Sequence, residues 1–366
     1  MALSSDSDVK GKVKLPRLLR LSSAFALRYP FTSVLLLVLQ AGSGVVLLSH
    51  TSLPSAWVNC AVIGMIVLCL LLLMNSALRI WSGGLLGDLV DFVAESGSRP
   101  CFKWTNREVL VGIIPFVVLG ALPFLCYYLE VRQHMESLGE VDKQVIYGVV
   151  TFTTVDGPFL SVTVFTGCVQ LVRLVASLLK AALRKHFDNL EVALTTQGNS
   201  TEEKVKELDG HCKRVLRIFE KANKCITRQI FAAVVLANMA ALITIIQLVT
   251  TLRGGKLTPF LFCFLGGLSL VGSVTGVALL HSMTTVADEY EDLAAKFSLN
   301  IALRFRLTNT FPGPPGVKLM TSFEKDHVND LSFNFHHRPL NASVLEGTLI
   351  RLFMGALVSV CLGILT

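Results

Sequence analysis

Two groups of residues stand where ionisable or polar chemistry meets apolar sequence. The first is Arg351, Gly355, Ser359 and Gly363, spaced by four, with Thr366 three further on. On a helix they form one small-and-polar stripe, while Leu349, Leu352, Phe353, Leu357, Val360 and Leu365 cover much of the rest. A polar stripe on a membrane-crossing helix faces water or protein. Copies meeting at an axis would line a pore. The same spacing also serves as a small-xxx-small packing surface, and the sequence leaves both readings open. The second is Asp156, followed by Gly157 and Pro158 inside an apolar block. Proline frees a carbonyl and bends a helix, so Asp156 reads as a polar group lining an outer cavity. Otherwise the span begins near Phe159 and Asp156 lies in the preceding loop.

These residues need elements to position them, and composition says which. The 366 residues are 52% hydrophobic and 16% charged, with a mean hydropathy of +0.61. Soluble domains carry about 25% charged residues. The apolar residues are pooled in blocks, which excludes a multidomain soluble enzyme, a disordered chain and a secreted disulfide scaffold. Blocks of about 20 apolar residues cross a bilayer as helices. Six are clear: Phe31–His50, Ala56–Leu78, Val109–Leu129, Val145–Leu179, Ile230–Leu252 and Pro259–His281. A seventh, Val344–Thr366, contains Glu346 and Arg351. The expected fold is all-α: a polytopic membrane protein of seven transmembrane helices. Residues 1–30 carry no cleavable-leader pattern.

Charge sets the threading. With the N-terminus inside, all but five of the 33 Lys and Arg fall in inner segments. The N-terminus is therefore expected in the cytosol and the C-terminus outside. That is opposite to a G-protein-coupled receptor, whose signature motifs are also missing. The nine cysteines lie in spans or inner segments and read as reduced thiols. The sequons at Asn199 and Asn341 fall inside. Neither is expected to carry sugar, and glycan on either would reverse the topology.

The inner segments are themselves patterned. Leu183, Phe187, Leu190 and Leu194 recur at helical spacing, as do Val205, Leu208, Cys212, Val215 and Phe219 after a break at 195–201. Ser200 and Glu203 resemble a capping box restarting the helix. Val286, Tyr290, Leu293, Phe297 and Ile301 carry a stripe beyond the sixth span, until Pro312, Pro314 and Pro315 stop it. Such stripes predict cytosolic helical extensions packed as a second layer; solvated hairpins or helices resting on lipid are the plainer alternative. No phosphate loop, metal-ligand spacing or nucleophile elbow is present, so no enzyme, cofactor, metal or nucleic-acid role is expected. His336-His337 reads as a solvated turn. A transporter using Asp156, or a receptor signalling without conduction, are the rival classes.

This layout resembles the invertebrate gustatory receptor family, relatives of the insect odorant receptors. That family closes on a small pair, Thr-Tyr, five apolar residues and Gln-Phe. Here Ser359 stands for the Thr, Val360 for the Tyr and Thr366 for the Gln, and the final Phe has no counterpart. The resemblance implies a plasma-membrane taste receptor that is a ligand-gated cation channel, a homo- or hetero-tetramer with related subunits. Its parts would be a cytosolic N-terminal segment (1–30), spans one to four (31–179), a cytosolic helical segment (180–229), spans five and six (230–281), a cytosolic anchor (282–343) and a pore helix (344–366). Gly355, Ser359, Val360, Gly363 and Thr366 would line the pore, Val360 as part of a gate. A small-molecule ligand would sit in the outer half of the bundle among Tyr127, Tyr147, Phe152, Asp156, Phe159, Gln247 and Phe260. Ordinary packing or an interfacial aromatic belt is the other reading of each. Arg351 fits least well. Four arginines ringing the mouth repel cations unless each pairs with an acid such as Glu346 or snorkels to lipid phosphate.

Overall fold

The computed structural model describes residues 56–94, 167–195, 202–308, 331–335 and 338–341, together with scattered single positions between 35 and 361. The elements are α1 (Ala56–Ser82), α2 (Leu85–Ala94), α3 (Gly167–Thr195), α4 (Glu202–Ala222), a π-helical turn (Asn223–Thr227), α5 (Arg228–Arg253) and α6 (Pro259–Thr308). A two-residue ladder follows, β1 (Asn334–Phe335) against β2 (Arg338–Pro339), antiparallel with Asn334 opposite Pro339. Apart from that ladder the regular secondary structure among the described residues is helical. The described positions between 343 and 361 are helical as well and form the closing helix.

Three stretches among the described residues are long and apolar enough to cross a membrane: Gly64–Ser82, Gly210–Arg253 and Leu261–Asn300. They are consistent with a membrane protein. The helices run past the ends of the apolar blocks. α3 continues unbroken from the fourth block to Thr195, and α6 is one rod of 50 residues. The expected break at 195–201 falls almost entirely on residues outside the described ones. Ser200 of the expected capping box lies outside the described residues.

One buried core joins the apolar bundle to a basal layer. The layer consists of α2, the end of α3, α4 and residues 282–308 of α6. Leu183, Phe187 and Leu190 of α3 pack with Val215 and Phe219 of α4 and with Val286, Tyr290 and Phe297 of α6, all buried. Phe187 meets Tyr290 and Phe297 edge-on at 5.7 and 5.8 Å. The three helical stripes therefore face one another in a packed layer. α2 had no place in the sequence reading. Its Leu85, Leu89 and Phe92 are fully buried in the same core. Gly84, at φ +67°, makes the reversal from α1 into α2, a conformation that favours glycine.

The basal layer is also stapled by charge. Arg184 of α3 donates two hydrogen bonds to Glu289 of α6 at 2.7 and 3.1 Å, which holds the Glu289 carboxyl below its ordinary value. Lys221 of α4 pairs with Asp88 in the first turn of α2. These pairs are partly exposed and contribute about 1 kcal/mol at most.

Candidate functional site: the closing helix and its base

The closing helix starts from a cap. Asn341 Oδ1 accepts hydrogen bonds from Ser343 Oγ at 2.6 Å and Val344 N at 3.4 Å. This is N-cap chemistry, and the sequon reading had passed over it. The β1–β2 ladder just before the cap is docked on the π-helical turn by one side chain. Asn223 Nδ2 donates to Ser332 O at 2.9 Å, and its Oδ1 accepts from Asn334 N at 3.1 Å and from Thr227 Oγ1 at 2.8 Å. Leu331, Ser332, Phe333 and Leu340 are buried around this dock. The π turn inserts an extra residue per turn and lets Asn223 address the ladder while α4 and α5 continue on either side. The closing helix and α5 thus rise from a common base.

Higher up, the closing helix meets α5. A Cβ on Gly355 would lie 3.7 Å from both methyls of Leu242, an ordinary contact. Here the small residue of the stripe packs within its own chain. Arg351, one turn below, is exposed, as are Ile350, Met354, Leu357, Val358 and Cys361. Ser359, Val360, Gly363 and Thr366 lie outside the described residues.

So do Tyr127, Tyr147, Phe152, Asp156 and Phe159 of the expected ligand cavity. Gln247 sits on α5, where its carbonyl accepts hydroxyl hydrogen bonds from Thr250 and Thr251 at 3.0 and 2.7 Å. Phe260 is the second residue of α6. The structure places these two near the joined ends of neighbouring helices, across the turn at Gly254–Thr258.

Below that turn α5 and α6 approach closely. A Cβ on Gly272 would fall 2.9 Å from Ala237 O, and one on Gly276 would fall 2.8 Å from Asn238 Oδ1. Gly272-x-x-x-Gly276 is the small-xxx-small contact of this bundle, and the sequence reading missed it. Asn238 is 7% exposed, and its Oδ1 has no hydrogen-bond partner among the described residues. The pattern of two glycines four apart was the available signal.

The basal layer holds a buried histidine with a displaced titration. His186 of α3 stacks on His211 of α4, with ring centroids 5.7 Å apart and planes 15° apart. Phe92 lies 5.0 Å from His211, with Lys185 Nζ 4.5 Å and the Arg214 guanidinium 5.5 Å from its ring. Lys185 also donates to Phe92 O, capping the carbonyl end of α2. Burial pushes the His186 imidazole down to about 4, and the neighbouring His211 adds to the effect. The folded value lies below the ordinary 6.5, so the unfolded chain binds the extra proton. The stability this group contributes is full above pH 6.5, falls as pH drops toward 4, and is then spent. The loss is on the order of 3 kcal/mol. His186→Phe should flatten that part of a denaturation-versus-pH series; an unchanged slope would assign the acid sensitivity elsewhere.

Compared with known proteins, the chain matches no family model and no curated protein.

Proposed function

We propose that this protein is a chemosensory, gustatory-receptor-like subunit of a ligand-gated ion channel. In this reading it crosses the plasma membrane seven times, with the N-terminus in the cytosol and the C-terminus outside. Copies, or copies with related subunits, assemble as a tetramer whose axis the closing helices surround. A small molecule held in the outer half of the bundle changes the relative stability of open and closed arrangements. The basal layer is then the cytosolic anchor between subunits.

The observation that carries the reading is the closing helix. It is tied firmly at its base through Asn341 and Asn223, yet above the base it leaves a charged residue, Arg351, exposed on a single chain. Hydrocarbon penalises such a residue by a few kcal/mol, so protein or water must stand against it. A central conduit supplies both.

Imaging of the full chain in lipid tests this directly. Four subunits around an axis bordered by the closing helix is the expected result. A monomer would leave that helix nothing to line. A cysteine placed by Ser359→Cys should be modified from the outer side and block ligand-evoked current. Current that survives complete modification would remove Ser359 from the pore wall.

A further inference from the structure

Residues 202–253 form one unbroken rod, in which α4 passes through the π turn into α5. One face of this rod is exposed, and its chemistry changes abruptly along the axis. Lys213, Arg217, Glu220, Lys224 and Arg228 occupy its lower part. Above them the exposed residues are Val235, Met239 and Ile246, until Thr250 returns the face to polar. At 1.5 Å per residue Arg228 and Thr250 stand about 33 Å apart, close to the thickness of a hydrocarbon layer.

Two neighbouring helices change at the same level. Three hydrogen bonds hold α1 antiparallel to the rod: Cys69 Sγ to Ala233 O at 3.3 Å, Ser76 Oγ to Gln229 Oε1 at 2.8 Å, and Cys225 Sγ to Arg79 O at 3.9 Å. In that register the exposed Leu68 of α1 stands near Val235, and the exposed Asn75 and Arg79 stand near Arg228 and Cys225. On α6, crossing the rod at Asn238 and Gly276, the exposed Leu270 and Val274 give way to an exposed His281. The apolar surface of all three helices therefore ends just above Arg228.

Cations gather directly below that edge. Residues 210–228 hold six Lys or Arg and one acid, Glu220. Lys221 is engaged with Asp88 of α2. Lys224 holds Glu220 at 2.6 Å, but both side chains are largely exposed, and such a pair yields readily to a phosphate. Among the described residues no carboxylate pairs with Arg79 or Arg228. Arg228 lies at the edge itself, where the phosphodiester of a membrane lipid lies. Lys224 lies one turn, about 6 Å, farther from the hydrocarbon. A headgroup that meets both carries phosphate at two depths.

We infer that Arg79, Lys224 and Arg228 seat an anionic lipid whose headgroup bears more than one phosphate, a phosphoinositide of the leaflet beside the basal layer. Clustered basic residues at the foot of a membrane-crossing helix recruit such lipids, each cation contributing about fivefold in affinity. The inference needs α5 to cross a bilayer and does not need a conducting pore.

The full chain is embedded in nanodiscs of phosphatidylcholine with equal minor fractions of phosphatidylinositol 4,5-bisphosphate and phosphatidylserine. Mass spectrometry of the intact protein, released into neutral detergent, then counts the lipids it retains. Preferential retention of the bisphosphate is expected. Lys224→Gln with Arg228→Gln should weaken that retention by about 25-fold, and Arg79→Gln by about fivefold. Lys213→Gln with Arg217→Gln removes the same charge from exposed positions about 16 Å or more below Arg228, and should change it little. Exchanging the two cations, Lys224→Arg with Arg228→Lys, should keep the lipid, which separates charge from folding. Equal losses in the two glutamine doubles would show diffuse attraction and overturn the seat. Equal retention of phosphatidylserine would overturn the requirement for a second phosphate. A chain that does not enter the nanodiscs would overturn the membrane crossing of α5, and this inference with it.

Discussion

Gly272→Leu should separate α5 from α6 and cost the bundle about 3 kcal/mol or more. The reason lies in the backbone. The first added carbon would sit 2.9 Å from Ala237 O and 3.4 Å from Ala241 Cβ, and a carbonyl in the middle of a helix cannot swing aside. Leucine then adds three further carbons to the same gap. Gly276→Ala is the milder neighbour, because its obstacle is the Asn238 amide, a side chain that can rotate. Gly266→Ala is the control. Nothing lies within 4 Å of its Cβ position, and alanine is favoured over glycine in a helix interior by about 0.5–1 kcal/mol. Unfolding of the detergent-solubilised protein should rank the three as strongly destabilised, weakly destabilised, and neutral or better. A Gly272→Leu protein as stable as its parent would refute the close approach.

Asn223→Ala should free the base of the closing helix. It deletes the donor for Ser332 O and the acceptor for Asn334 N and Thr227 Oγ1. Each buried group left unmatched costs about 1–3 kcal/mol, so a loss of about 2–4 kcal/mol is expected after partial relaxation. The local signature is sharper than the global one. The Asn334 amide, which donates to Asn223 Oδ1, should exchange with solvent much faster, while amides in the middle of α5 stay protected. Asn223→Asp is the discriminating variant. It keeps an acceptor for Asn334 N but sets a carboxylate oxygen against Ser332 O, so protection at Asn334 should survive better than stability does. Unchanged exchange at Asn334 in the alanine protein would show that the ladder is held by its buried Leu331, Phe333 and Leu340 alone.

The contrast between these two sites explains what could be read from sequence. Periodicity carries helices whose burial is one-sided. Leu183, Phe187 and Leu190 announced the basal layer because α3 must hide one stripe there and wet the other. The same logic was blind to α2, a ten-residue helix too short to show a repeat against the polar residues around it. It could not find the π turn either, because Asn-Lys-Cys-Ile-Thr carries no local signature and its geometry is set by the ladder it receives. Asn341 was legible but misfiled. An Asn three residues before Val344 is an N-cap pattern, and the same residue also opens a sequon. Of the small-and-polar stripe, Gly355 faces Leu242, a partner far away in sequence that no spacing rule supplies. Arg351 stood out at once, since charge inside an apolar block needs no partner to be noticed.

The unbroken length of α6 has a mechanical corollary. Its tight crossing at Gly272 and Gly276 is the natural fulcrum, because there the two backbones have least room to slide. About 20 Å of rod lies on the Pro259 side of that point and about 48 Å on the Thr308 side. The arms are unequal by more than two to one. A tilt that moves the short arm by one ångström would sweep the far tip by more than two, in the opposite direction. Small adjustments near Phe260 would then arrive among Tyr290 and Phe297 amplified and reversed.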